Sequence, residues 1–168
     1  MYTVGILSHE HKKDLFNCGV ESLDRYIKNF ASKDIRRNIS VTYVATTEND
    51  SKKIVGYYTL SQSIIQLNEF NNELKKKLPK YPNIPATLLG RLAIDDEYQN
   101  KGIGRLLLYN ALKRSYIISK QIASNAVIVD AIGDEAVSFY EYHGFLKTIS
   151  NSYKLYRPIN SIKEELFD

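Results

Sequence analysis

The chain has 168 residues, 43% of them hydrophobic, which is enough for one well-buried core and too little for two ordinary domains, so a single domain over residues 1–168 is expected. No stretch is dominated by Ser, Pro, Gly or Gln, and no run approaches the roughly 18 apolar residues that a membrane helix needs, so neither long disorder nor a membrane span is expected. The net charge of +4, from 23 basic and 19 acidic residues, is too modest to indicate a nucleic-acid partner by itself.

Cys18 is the only cysteine, which excludes an intrachain disulfide and a Cys-based zinc cluster. Three scattered histidines give no metal-ligand spacing, so no metal is expected. The N-terminus lacks a basic start followed by an apolar run; the expectation is an unexported protein of the cytoplasm, whose reducing environment suits a lone thiol. Cys18 itself sits in a turn-like stretch ahead of a helix and reads as structural.

In chain order, Tyr2 to Ser8 alternates weakly and suits a first strand. From Ser22 to Arg37, the residues Leu23, Tyr26, Ile27, Phe30 and Ala31 recur at helical spacing, and Lys28, Lys33, Arg36 and Arg37 occupy other positions of an amphipathic helix. Val41 to Thr47 and Lys53 to Ser63 are rich in Val, Ile, Tyr and Thr, with turn chemistry at Glu48 to Ser51, and predict an antiparallel hairpin. Leu67 to Leu78 predicts a short polar helix, and the three prolines between Pro79 and Pro85 predict a loop without regular pairing. Ala86 to Ile94 is an apolar run suited to a central strand, and Gly102 to Ala123 a helix with Leu106, Leu107, Ala111, Leu112, Ile118 and Ile122 on its apolar face. Ala126 to Ile132 follows as a buried strand, Asp134 to His143 as a short helix ended by Gly144, and Leu146 to Tyr156 as a last strand or hairpin around Asn151-Ser152. The order predicts a mixed α/β sheet with a β-α-β unit at its centre.

Basic residues are unevenly spread. From Asn71 to Lys120 there are ten Lys or Arg against four acids, whereas the tail from Glu164 to Asp168 is acidic.

The chemistry concentrates in Gln99-Asn100-Lys101-Gly102-Ile103-Gly104-Arg105, set between an apolar strand and an apolar-faced helix. Two glycines at a helix start let the backbone curl so that several N–H groups point outward together and, with the helix dipole, receive phosphate oxygens; Lys101 and Arg105 add charge. Alone, two glycines near a helix start more often make only an ordinary turn. The pattern lacks the Gly-Lys-Ser/Thr ending of a Walker loop, and Leu107 stands where a dinucleotide fingerprint needs its third glycine.

Three stretches in this order, Leu89-Gly90-Arg91-Leu92-Ala93-Ile94-Asp95, the Gln99 to Arg105 turn, and Ala136 to Phe145 containing Phe139-Tyr140, closely resemble the GNAT acetyltransferase superfamily. The resemblance implies the GNAT acyl-CoA N-acyltransferase fold and acetyl-CoA as donor. It places the pantetheine arm and thioester on the backbone of Leu92, Ala93 and Ile94. The pyrophosphate falls to Gln99, Asn100, Lys101, Gly102, Ile103, Gly104 and Arg105, and the role of general acid to Tyr140. A phenol with pKa about 10 is protonated at neutral pH and suits protonation of a departing thiolate. Simple core packing is the plainer role for the same residue. No residue stands out as a general base, and an α-amine, with pKa about 8, needs one less than a lysine amine with pKa about 10.4.

The run Phe16 to Tyr26, the basic helix end at Lys33, Arg36 and Arg37, and Leu89 to Ala93 resemble, more narrowly, the GNAT toxins of type II toxin–antitoxin pairs. That resemblance implies acetylation of the α-amine of aminoacyl-tRNA and a block of translation. It also implies a homodimer and a ribbon-helix-helix antitoxin. Lys33, Arg36, Arg37, Lys75, Lys76, Lys77 and Arg91 are the candidates for tracking the tRNA backbone, each otherwise a solvated surface charge. Two alternatives stay open: acetylation of a small-molecule amine or a protein N-terminus, and a non-catalytic acyl-CoA-binding or DNA-bound regulatory subunit.

Overall fold

The computed structural model describes residues 1–168. Strand β1 (Tyr2–Ile6) is followed by helices α1 (Glu21–Asn29) and α2 (Ala31–Arg36), strands β2 (Val41–Thr47) and β3 (Gly56–Gln66), and helix α3 (Asn72–Lys76). Strand β4 (Asn83–Ile94), helix α4 (Ile103–Ile118), strand β5 (Ala126–Asp130) and helix α5 (Asp134–Tyr142) come next, then strands β6 (Leu146–Lys147) and β7 (Lys154–Pro158) and helix α6 (Ile159–Leu166). The strands form a mixed sheet in the order β1-β2-β3-β4-β5-β7-β6. Its parallel pair, β4 with β5, makes β4-α4-β5 the β-α-β unit that the sequence predicts. No helix is long and apolar enough to cross a membrane.

The residues gather into two compact units, Met1–Ser61 with Gly90–Ala111, and Gln62–Leu89 with Leu112–Asp168. In the first, β1 and β2 pair antiparallel from Tyr2↔Thr47 to Ile6↔Tyr43, and β2 pairs with β3 from Val41↔Leu60 to Ala45↔Gly56. Helix α1 buries Leu23, Tyr26 and Ile27, its i, i+3, i+4 stripe, in a core with Phe16, Val44 and Tyr57. Ile27 is fully buried, which is worth about 1.5–3 kcal/mol. The Tyr57 hydroxyl donates to the Leu23 carbonyl at 2.7 Å, satisfying the one polar atom that this aromatic brings inside.

The single helix expected over Ser22 to Arg37 is two. Phe30, at φ −120°, breaks it, turning its own ring to solvent while Ala31 stays buried. The second hairpin strand begins at Gly56 instead of Lys53, because Oδ1 of Asp50 accepts from the backbone N–H of both Lys52 and Lys53 and extends the turn.

In the second unit, β4 runs parallel to β5 from Ala86↔Ala126 to Leu89↔Val129, and β7 pairs antiparallel with both β5 and β6. Its core joins Ile65, Phe70, Ile84, Ala86, Ala126, Ile128 and Tyr156. Five expectations need correction here. Leu67 to Leu78 holds a 3₁₀ turn at Leu67–Glu69 and then α3, which Asn71 caps by accepting from the Leu74 N–H at 3.0 Å. Strand β4 already starts at Asn83 and passes through Pro85, which is exposed; Pro85 cannot donate, but its carbonyl accepts from the Asn125 N–H at 2.9 Å, so the strand loses no needed bond. Helix α4 ends at Ile118, leaving Ile122 exposed beyond it, and β5 stops at Asp130 with Ile132 exposed. Finally, α6 buries Ile159 and Ile162 one turn apart where the sequence reading saw only an acidic tail.

Candidate active site

The first unit carries the glycine turn. Strand β4 ends with Leu92 and Ile94 half-buried around buried Ala93, and an isolated 3₁₀ turn at Asp96–Tyr98 leads from it to the turn. Asn100 (φ +61°) and Gly102 (φ +81°) are both left-handed, which curls the chain into the start of α4. The first bond of α4 runs from the Leu106 N–H to the Gly102 carbonyl at 3.1 Å. The N–H groups of Ile103, Gly104 and Arg105 therefore have no partner within the helix, as at any helix start. A side-chain carbon added at Gly102 would meet nothing within 4 Å. Open space, unspent donors and the positive end of a sixteen-residue helix fit the diphosphate of an acyl-CoA.

The side chains of the turn residues differ in their surroundings. Ile103 points its side chain into the core, so only its N–H is available. The Gln99 amide is turned back into the protein, donating to the carbonyls of Cys18 and Ile94. Lys101 donates to the Glu97 carbonyl at 2.8 Å and lies over the Tyr98 ring, and the Arg105 guanidinium lies over the Tyr109 ring. Both cations are exposed, on surface contacts that a ligand phosphate can outcompete.

Of the basic candidates, Arg91 is the best fixed. Its guanidinium stacks 3.5 Å from the centroid of Tyr26, whose hydroxyl donates to Asp34 at 2.8 Å. Lys33, Arg36 and Arg37 are exposed in and just after α2 of the same unit. Lys75, Lys76 and Lys77 belong to the second unit at the end of α3, with Lys75 bonded to Asn68 and the other two exposed.

Tyr140 lies on α5 of the second unit, with Phe139 and Phe145 edge-on at ring distances of 5.3 Å each. Burial alone pushes its phenol well above the ordinary tyrosine range; no hydrogen bond or charge from the chain competes for its hydroxyl. The end of α5 turns at Gly144 (φ +86°), against which Arg157 packs. Arg157 is buried, donates to the His143 carbonyl at 3.0 Å and pairs with Glu165 of α6. Sequence reading missed it, since an arginine just past the predicted last strand carries no sign that it will cap the tyrosine helix.

A helix start with unspent N–H donors is suited to receive a diphosphate, and a neutral phenol free of partners is a group able to give up a proton; each, taken by itself, is a part that acyl-transfer chemistry can use. Residues 38–147 match the family model of the acetyltransferase (GNAT) domain, which covers more than half of the chain. The chain belongs to the GNAT acetyltransferase family, and its donor is acetyl-CoA. Within that family it is similar to the probable toxin TacT of Sinorhizobium fredii (strain NBRC 101917 / NGR234), at 27% identity over 162 residues, 92% of this chain and 89% of TacT. Among solved structures, AtaT complexed with acetyl-methionyl-tRNAfMet matches with a TM-score of 0.92 at 30% identity, covering 100% of both chains. A Tyr-to-Phe variant of AtaT bound to acetyl-CoA and the C-terminus of the antitoxin AtaR matches with a TM-score of 0.84 at 26% identity, covering 100% of this chain and 99% of that one.

Proposed function

We propose that this enzyme is the toxin of a toxin–antitoxin pair and transfers the acetyl group of acetyl-CoA to the α-amine of the amino acid carried by tRNA, which blocks translation. The observation that carries the acceptor is the full-length likeness to AtaT complexed with acetyl-methionyl-tRNA. The antitoxin follows from the AtaR complex, and the ribbon-helix-helix form of the antitoxin, a homodimeric toxin and a cytoplasmic site of action complete the reading.

Acetyl-CoA supplies an activated acyl thioester. The N–H groups of Ile103, Gly104 and Arg105 hold its diphosphate, with Lys101 and Arg105 adding charge, and the β4 backbone at Leu92, Ala93 and Ile94 aligns the arm that bears the thioester. As the neutral amine bonds to the carbonyl carbon and the C–S bond breaks, Tyr140 gives its proton to the sulfur. A phenol raised by burial is a weak acid towards a thiolate, and the proton that the amine nitrogen sheds once it is acylated restores the Tyr140 phenolate to phenol, so the step ends with no net proton gained or lost by the chain. The amine must arrive neutral, which at pH 7 is far more frequent for an α-amine with pKa about 8 than for a lysine with pKa about 10.4.

Incubation with radiolabelled acetyl-CoA and a pool of charged tRNA is expected to place label on aminoacyl-tRNA and none on uncharged tRNA. Label appearing only on small amines or protein N-termini would replace the tRNA reading. Arg36 and Arg37, exposed with no acid paired to them, are expected to meet phosphates: reversing both to Glu should flatten the log–log salt dependence of tRNA binding by about 1–2 in slope, and an unchanged slope would remove them from the tRNA surface.

A further inference from the structure

The Asn17-Cys18-Gly19 stretch is explained neither by donor binding nor by the acceptor, yet every one of its residues is tied down by hydrogen bonds. Asn17 donates its backbone N–H to Oδ2 of buried Asp95 at 3.1 Å and accepts the Asp96 N–H on its carbonyl at 2.8 Å. The Asn17 side chain accepts from the Gly19 N–H at 3.1 Å, closing the turn on itself. Cys18 is fixed by donation of its N–H to Oδ1 of Asp24 at 2.8 Å. Gly19 is left-handed at φ +85°, and a side-chain carbon there would come within 3.3 Å of the Asp96 carboxylate.

Gln99 completes the knot. Its Nε2 faces three acceptors, the Cys18 carbonyl at 3.1 Å, the Ile94 carbonyl at 3.1 Å and Oδ1 of Asp96 at 3.2 Å. Only the nitrogen end of the amide can face three acceptors, so the orientation is fixed by chemistry. The bond to Ile94 spans five residues and locks the exit of β4 to the entrance of the glycine turn. The bond to Cys18 anchors the same point to a loop 81 residues away.

We infer that the Asn17–Gly19 loop, gripped by Gln99 and Asp95, presets the glycine turn for the donor's diphosphate, with Gln99 a positioning residue and not a ligand. The inference rests on the diphosphate reading of that turn given above. Its logic is preorganisation. Asn100, directly after Gln99, is a non-glycine residue in a left-handed conformation, which costs the free chain energy; a turn held in this shape beforehand presents its N–H groups without further ordering when the ligand arrives.

The test compares CoA with pantetheine, which lacks the diphosphate, by direct binding titration of the full chain. The unsubstituted protein is expected to bind CoA far more tightly than pantetheine; equal affinities would sink the diphosphate reading itself. Gln99→Met keeps the length and removes the donors. Expected is about a tenfold loss of CoA affinity, the value of one to two neutral hydrogen bonds, with pantetheine affinity within twofold. Gly19→Ala, which disturbs the loop without touching Gln99, is expected to show the same selective loss. CoA affinity retained by both folded variants would overturn the inference while leaving the diphosphate reading intact, and equal losses for the two ligands would overturn it as a mere defect of folding.

Discussion

Replacing Tyr140 by Phe is expected to lower acetyl transfer by about 10²- to 10⁴-fold, the usual worth of a general acid, while acetyl-CoA binding is retained. The substitution removes one oxygen and nothing else, and the ring contacts with Phe139 and Phe145 persist. Because no group of the chain is bonded to that oxygen, its loss leaves no orphaned partner, and Tm should move by no more than about 2–4 °C. A large kinetic loss on an unchanged fold separates an acid from a packing residue; activity within about fivefold of the parent enzyme would return Tyr140 to the core.

The pH profile gives the same residue a second trial. Burial raises the Tyr140 phenol above its ordinary value, so the group stays protonated throughout the neutral and mildly alkaline range. The rate should therefore rise with pH through about 8 as the α-amine loses its proton, and show no descending limb from Tyr140 below about pH 10. A descending limb near pH 9 that vanishes in Tyr140→Phe would mean that bound substrate lowers the phenol's pKa, against the effect of burial alone.

What the sequence made legible depended on how local the cause was. The glycine turn could be read because left-handed backbone favours glycine, and Gly102, at φ +81°, is left-handed. The role of Gln99 could not: its type and place are those of a phosphate-cradle residue, but its three acceptors lie on Cys18, Ile94 and Asp96, and only folding brings Cys18 there. Pro85 misled because proline forbids donation, not pairing, and the carbonyl it offers to Asn125 is invisible to a rule about breakers. Helix α6 was missed for a related reason. Its apolar stripe is only Ile159 and Ile162, and its acids crowd the end where the helix dipole disfavours them; Glu165 is recovered by pairing with Arg157, a contact made in space. The basic candidates share one composition in the sequence, yet they fall into different units, Arg91 stacked on Tyr26 in one and Lys75 bonded to Asn68 in the other.

The second large effect is expected at Gly56, where β3 begins opposite Ala45. A Cβ built there would lie 2.8 Å from Cδ1 of Leu107 on α4, 2.9 Å from Cδ1 of Ile94 and 3.0 Å from the backbone carbonyl of Ala93. The two methyl groups are ends of flexible side chains and can move, but the carbonyl belongs to β4 and can yield only by shifting the strand assigned to the thioester. Replacing a glycine gains about 0.4–1 kcal/mol by stiffening the unfolded chain, whereas overpacking costs about 1–3 kcal/mol, so the clash wins. Gly56→Ala should lower Tm by about 2–8 °C and raise the KM for acetyl-CoA, because Ala93 and Ile94 are displaced together. Gly5→Ala is the matched control: that glycine also lies in a strand, a Cβ there meets nothing within 4 Å, and the same entropic gain should leave Tm unchanged or higher. Equal Tm and KM in the two variants would show that β4 absorbs a methyl group freely, and that the alignment of the donor's thioester does not depend on the close approach of β3.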